Sequence, residues 1–314
     1  MTEQWIRKIQ LVVAAADGHA LDLSELRIRF HTQRSGLQTP NTSEITIYNV
    51  SDATAKKLKG EFTRVVLSAG YENGVFGTLF DGTITQVRQG RESQTDTFVA
   101  VSAADSDIPY NYGTVNTSLA AGSNINDHLN AYCAGMGVKL GYVPELPGPR
   151  LSRGKVMSGL ARDYLRTSTQ NAAATWSLQD GALELCPING WIPTAEAIVL
   201  TSATGLIGMP EQTAAGINVK ALLNPNIKPD RRIQLDNATI QRIAIGQTYD
   251  TGTQLEQQAI LAGVNQYTLN LDGFYVVKGL EHSGDTRGQE WYTQMVCLAI
   301  DPTAYSQQLI NAGY

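Results

Sequence analysis

The chain has 314 residues, enough for two or three domains with their own cores. Lys and Arg total 24 against 29 Asp and Glu; a net charge of -5 and a pI of about 5.4 argue against a main task of gripping phosphate backbones. Charged residues are only 17% of the chain, against a usual share of about 25%, so protein neighbours can cover its uncharged polar surface at modest desolvation cost.

The opening MTEQWIRKIQLVVAAADG sets an apolar run behind two cations, but it carries Glu3 and alternates, so no cleaved signal is expected. The longest purely apolar stretch, Leu11 to Ala16, is far short of the ~20 residues of a spanning helix, so no membrane insertion is expected. LRIRFHTQ then puts Leu26, Ile28 and Phe30 on one face and Arg27, Arg29 and His31 on the other, the alternation of a half-buried strand. SEITIYNV repeats it with Ile45 and Ile47 inward, and Gly36 and Pro40 serve the turn between them. Ser51 or Asp52 caps a short helix, SDATAKKLKG, with Lys56, Lys57 and Lys59 towards its negative end and Gly60 as its stop. Strands follow at Phe62–Tyr71, Thr78–Gly90 and Thr95–Asp105, which makes residues 1–105 a small barrel or sandwich.

Residues 106–203 read as mixed α+β. A helix in SNINDHLNAYCAGMGV is capped by Ser123 or Asn124, buries Ile125, Leu129 and Tyr132 or Cys133, and halts at Gly135 and Gly137. Pro144, Pro147 and Pro149 make the next segment a connector. A second helix is expected over KVMSGLARDYLRTST, with Val156, Leu160 and Tyr164 on one face, followed by a hairpin about Asp180-Gly181. Residues 204–314 are again strand-rich: Ile217–Leu223 and Arg232–Leu235 around a loop stiffened by Pro225 and Pro229, then GFYVVKGLEH and QEWYTQMVCLAI as a hairpin. An extended insertion is expected at about 238–268, where Thr248 to Gln266 shows no clean period. Letter identity between the two strand-rich ends is too low to define a repeat; they share strand pattern only.

Chemistry-bearing motifs are sparse. No GxSxG, HExxH, Walker loop or strand-linked GxGxxG occurs, and Ser158 in VMSGL falls on the surface of the second expected helix. The strongest enzyme candidate is the crowding of His282, Ser283, Asp285 and Arg287 in EHSGDTRG, which is also what a Gly-rich hairpin turn looks like. His19, His31, His128 and His282 lack partners at ligand spacing, and Cys133, Cys186 and Cys297 have neither CxxC spacing nor an even count, so a reducing cytoplasm suits folding. The KKLK run at 56–59 reads as a solvated helix end, and Trp5, Trp176, Trp191 and Trp291 read as core or interface anchors. No catalytic, cofactor-binding or metal residue is assigned, and no cofactor is expected.

Four phrases in order resemble the baseplate hub proteins of contractile bacteriophage tails, the family that includes the hubs of Mu-like phages: TPNTSEITIYNVS (Thr39 to Ser51), VVLSAGYENGVFGTLFDGTI (Val65 to Ile84), GLIGMPEQTAAGINVKALLNPNIKPDRRIQL (Gly205 to Leu235) and GFYVVKGLEHSGDTRGQEWYT (Gly273 to Thr293). The resemblance spans most of the chain and implies a non-enzymatic virion component, assembled in the host cytoplasm. It implies a mainly β fold with two tail-tube-like β-barrel domains, at 1–105 and 204–314, flanking a mixed α+β middle. It further implies a homotrimer whose six barrels form a pseudo-six-fold ring between a hexameric tail tube, or a distal tube adapter, and a trimeric central spike. Wedge or other baseplate proteins would be neighbours, and viral DNA would only pass through the lumen. Two other classes compete: a tail-associated peptidoglycan hydrolase or peptidase using His282 and Asp285, and a receptor-binding tail component or adhesin.

Overall fold

The computed structural model describes residues 4–146, 150–213, 216–236, 240–242 and 273–299. The first region comprises β1 (Arg7–Ala15), β2 (Ala20–Asp22), β3 (Ile28–Ser35), β4 (Thr42–Tyr48), α1 (Asp52–Gly60), β5 (Phe62–Tyr71), β6 (Phe76–Arg91) and β7 (Thr97–Ala104). Alternation forms these strands: in β3, Ile28, Phe30, Thr32 and Arg34 are buried while the residues between them face outward. The Ser51 side chain accepts from the Thr54 N–H and so caps α1, which ends at Glu61 with right-handed backbone rather than at the expected Gly60 stop. Leu11, Ile28, Ile45, Ile47, Leu67 and Val101 lie in this region's core.

The middle region holds α2 (Asp107–Tyr112), β8 (Thr114–Leu119), α3 (Ile125–Met136), β9 (Lys139–Leu140), β10 (Lys155–Leu160), α4 (Ala161–Asn171), β11 (Ala174–Gln179) and β12 (Ala182–Pro187). Asn124 and Asp127 form a reciprocal capping box at the start of α3, and Gly137 ends it with φ 70°. The expected second helix is corrected here. Lys155–Leu160 is a strand paired with β8, with Met157 buried and Val156 80% exposed, and Gly159 at φ 142° leads into a helix that starts only at Ala161. Helical spacing read Val156 as inward; the strand's period of two turns it to solvent. The hairpin of β11 and β12 turns at Asp180 and Gly181, both with positive φ, as expected from that dipeptide.

The last region comprises β13 (Ile198–Leu200), β14 (Leu206–Thr213), β15 (Gly216–Leu222), β16 (Arg232–Leu235), β17 (Gln241–Arg242), β18 (Phe274–Asp285) and β19 (Trp291–Leu298). Apart from residues 240–242, the expected insertion at 238–268 lies outside the described residues. Ile217, Val219, Ile233, Tyr275, Val277 and Met295 lie in its core.

Both outer regions belong to one 14-stranded sheet, joined where β3 pairs with β18. Among the described residues the sheet runs open from β17 to β2, and no sheet closes on itself. Its two halves share one strand order. The first reads β1-β5-β6-β7-β4-β3 across the sheet, and the second reads β13-β16-β18-β19-β15-β14. Read along the chain, the strands occupy the same places in both halves. The rows correspond as well: Ile45↔Val101 and Val101↔Val87 in the first half match Val219↔Met295 and Met295↔Leu280 in the second. Each half carries its register shift at the same point, between Ile84 and Gln86 in β6 and between Val277 and Gly279 in β18. Bulges are placed features, so two at one frame position tie the halves together more closely than strand count does. The halves depart in the outer pair, antiparallel for β1 and β5 but parallel for β13 and β16, and in further register shifts, between Leu67 and Ser68 in β5 and between Ile207 and Glu211 in β14, that their counterparts do not share.

Candidate interaction surface

The seam between the halves is antiparallel, running from Arg29↔Asp285 to Ser35↔Gly279. Its interior is unusually polar. Thr32 bonds Ser43 at 2.8 Å, and the His282 ring bonds the Thr293 hydroxyl at 2.9 Å. His282 is fully enclosed; burial, then the charge of Arg34, lowers its pKa to about 3, so the ring is neutral near pH 7.

Arg34, 4% exposed, reaches from the seam into the middle region. It pairs with Asp180 at 2.9 Å, donates to Gln179 Oε1 at 3.1 Å and donates to the Leu79 carbonyl at 3.1 Å. Lys228 of the last region meets the other Asp180 oxygen at 2.9 Å, and Asn41 of the first donates to the Leu178 carbonyl and to Gln179. Burial raises the Asp180 pKa, but Arg34 and Lys228 outweigh it and hold the carboxyl below its ordinary value. Beside it, burial pushes Asp105 up, partly offset by donation from Ser106 and from the Asp180 N–H. Arg231 and Glu184 add a further pair, at 2.9 Å. The tip of the β11–β12 hairpin is thus bolted to both halves at their junction.

The residues expected to crowd together do not form a catalytic group. His282 points into the interior, whereas Ser283 occupies the opposite face of β18. Burial raises Asp285, but hydrogen bonds from Arg27, at 2.7 Å, and from the Arg287 N–H outweigh it and hold the carboxyl low. Arg7 from β1 donates to the carbonyls of Asp285, Gly288 and Gln289, so this loop is the structured turn that its composition suggested. Gly284 is required where it stands, since a Cβ there would strike both Phe30 and Trp291, which pack edge to face at 5.5 Å. Ser158, on a strand rather than a helix, donates to Asn116. Cys133, Cys186 and Cys297 are buried and free, their thiol pKa values pushed up by burial. No group of three or more potential metal ligands occurs among the described residues. Among them, too, no helix is long and apolar enough to cross a membrane. Trp176 and Trp291 are core residues, as expected, and Trp5 is 71% exposed.

What the sheet does present is an outward polar face and a bare edge. The face crosses both halves through Arg29, His31, Gln33, Glu44, Glu281 and Gln294; Glu44 and Arg88 neutralise one another across strands at 2.9 Å, and the His31 ring lies 3.2 Å from Glu281. The edge is the second part of β6. Residues 279–285 of β18 lie between β19 and β3, and Leu280, His282 and Gly284 there are buried or nearly so. The matching residues of β6, Gln86 to Arg91, pair with β7 alone, and none of them is buried. Sequence reading missed this edge because the strand pattern of β6 carries no mark of which neighbour is missing.

No family model matches the chain, and no curated protein matches it. Solved structures do. The 43 kDa tail protein of prophage MuSo2 from Shewanella oneidensis superposes with a TM-score of 0.57 at 7% identity, covering 94% of this chain and 97% of that one. The tail protein from Neisseria meningitidis MC58 superposes with a TM-score of 0.55 at 9% identity, again covering 94% and 97%. Together with the resemblance to Mu-like hubs read from the sequence, these matches over nearly whole chains identify the fold as that of prophage tail proteins.

Proposed function

We propose that the chain is a structural baseplate hub of a contractile phage tail, three copies of which form a pseudo-six-fold ring between the hexameric tube and the trimeric spike. The observation that carries this reading is the repeated frame, down to its paired bulges. A chain whose sheet has two equivalent halves offers a six-fold partner six similar surfaces when three copies associate, while keeping true three-fold symmetry for the other partner. In this reading residues 1–105 and 204–314, the latter joined by the preceding strand β13, act as the two tube-like units, and the sheet curves into closure only in the assembled ring. The middle region, bolted at Asp180, fixes the angle between them.

The outward face of the sheet would then line the lumen. Its paired charges and the acidic balance of the chain suit passage of DNA without retention. A hydrolytic role has little to stand on at His282 and Asp285, because the ring is enclosed and the carboxylate is committed to Arg27. The location is tested by gold-labelling an affinity-tagged chain on intact tails. Label where the tube meets the spike is expected; label confined to fibre tips or spread along the sheath would overturn the assignment.

A further inference from the structure

The junction inside the chain and the bare edge are two halves of one pattern. At the junction, the edge strand of the first half, β3, lies along residues 279–285 of β18. The equivalent of β3 in the second half is β14, and the equivalent of residues 279–285 is the Gln86–Arg91 stretch of β6. In the sheet order β14 and β6 are separated by β15, β19, β18, β3, β4 and β7, so the single chain does not bring them together as it does β3 and β18. A second copy can.

We infer that β14 of one copy pairs antiparallel with the Arg88–Arg91 part of this edge on the next, reproducing between chains the contact that β3 and β18 make within one. This rests on the trimeric reading above and gives it a contact surface.

Charge supports this register. In the chain, His31 on β3 meets Glu281 on β18 at 3.2 Å. The row His31↔Glu44↔Ser102↔Gln86 corresponds to Glu211↔Asn218↔Val296↔Gly279, so Glu211 takes the place of His31. Arg88↔Ala100 corresponds to Glu281↔Gln294, so Arg88 takes the place of Glu281. The base and the acid have changed sides, and the pair remains complementary. Arg88 and Glu211 are both exposed in the single chain. Val87, which corresponds to buried Leu280, already packs against the first core but is only partly covered in the single chain. Among the described residues, the outer edge of β14 is held only by β17, in a parallel contact at Glu211 and Gln212. The longer antiparallel pairing takes the place of that contact.

Sedimentation of the full chain over a concentration series tests the inference. Arg88→Glu and Glu211→Arg are each expected to weaken trimer formation about tenfold, and the double reversal to restore it to within about threefold. Oxidation of a variant carrying Arg88→Cys and Thr213→Cys, positions opposed in this register, is expected to give a covalent trimer, since the three native cysteines are buried. A trimer indifferent to both reversals, or weakened by each and not rescued by the pair, overturns this contact while leaving the trimer standing. A chain that stays monomeric at every concentration overturns the trimeric reading and this inference with it.

Discussion

The second parts of β6 and β18 occupy the same place in the same frame, follow the same bulge and meet different fates. In β18 the strand is flanked on both sides, and its inward residues Leu280 and His282 are buried. In β6 one flank is bare, and the corresponding Val87 and Gln89 are half-buried and exposed. Backbone topology alone does not decide burial here; the neighbouring strand does, and the chain supplies that neighbour to only one of its two halves.

The comparison can be broken most severely at the bolt that sets the halves against each other. Arg34→Met removes the buried partner of Asp180 and is expected to cost about 2 to 4 kcal/mol in urea unfolding, reduced from the fully buried case because Asp180 is 33% exposed and keeps Lys228. A loss below about 1 kcal/mol would mean that the hairpin tip does not hold the junction. Next come the equivalent truncations: Leu280→Ala is expected to cost about 2 to 4 kcal/mol, and Val87→Ala under about 1 in the single chain. Equal losses would show that the β6 edge is already covered.

The buried histidine sharpens the contrast by its pH dependence. Its folded pKa of about 3 lies below the unfolded value near 6.5, so the unfolded state takes up the proton first. Its contribution is complete above about pH 6.5 and is lost as the pH falls towards about 3, at up to about 1.4 kcal/mol per pH unit. His282→Asn should flatten the stability profile in that window; an unchanged slope would place the titration elsewhere. Gln89, the counterpart in the first half, has no such window. The smallest effect belongs to the surface pair: Arg88→Ala should change the stability of the single chain by under about 1 kcal/mol, because both partners are more than half exposed.

Much of this fold was legible in the sequence. β5 spans the expected Phe62–Tyr71, and the first and third helices expose their caps at Ser51 and Asn124. The Asp180-Gly181 turn and the final hairpin were equally plain, because turn chemistry and alternation are local. The short α2 was not anticipated, and Lys155–Leu160 was misread because Val156, Leu160 and Tyr164 satisfy a helical spacing that β8 overrides by pairing. The shared frame was hidden for a different reason. Val65 and Ile233, Ile45 and Val219, and Ala103 and Cys297 fill matching inward positions, and packing asks there for apolar residues of fitting size rather than particular letters. The polar seam was equally hidden, since nothing local to His282 announces that β3 will enclose it.

End-on electron-microscopy averages of the purified, assembled chain test the central claim most directly. The account predicts a ring of three copies whose density looks six-fold at low resolution and resolves to three-fold when side chains and the middle region become visible. A ring of six copies, or one whose alternate units lack the shared strand order, would contradict it.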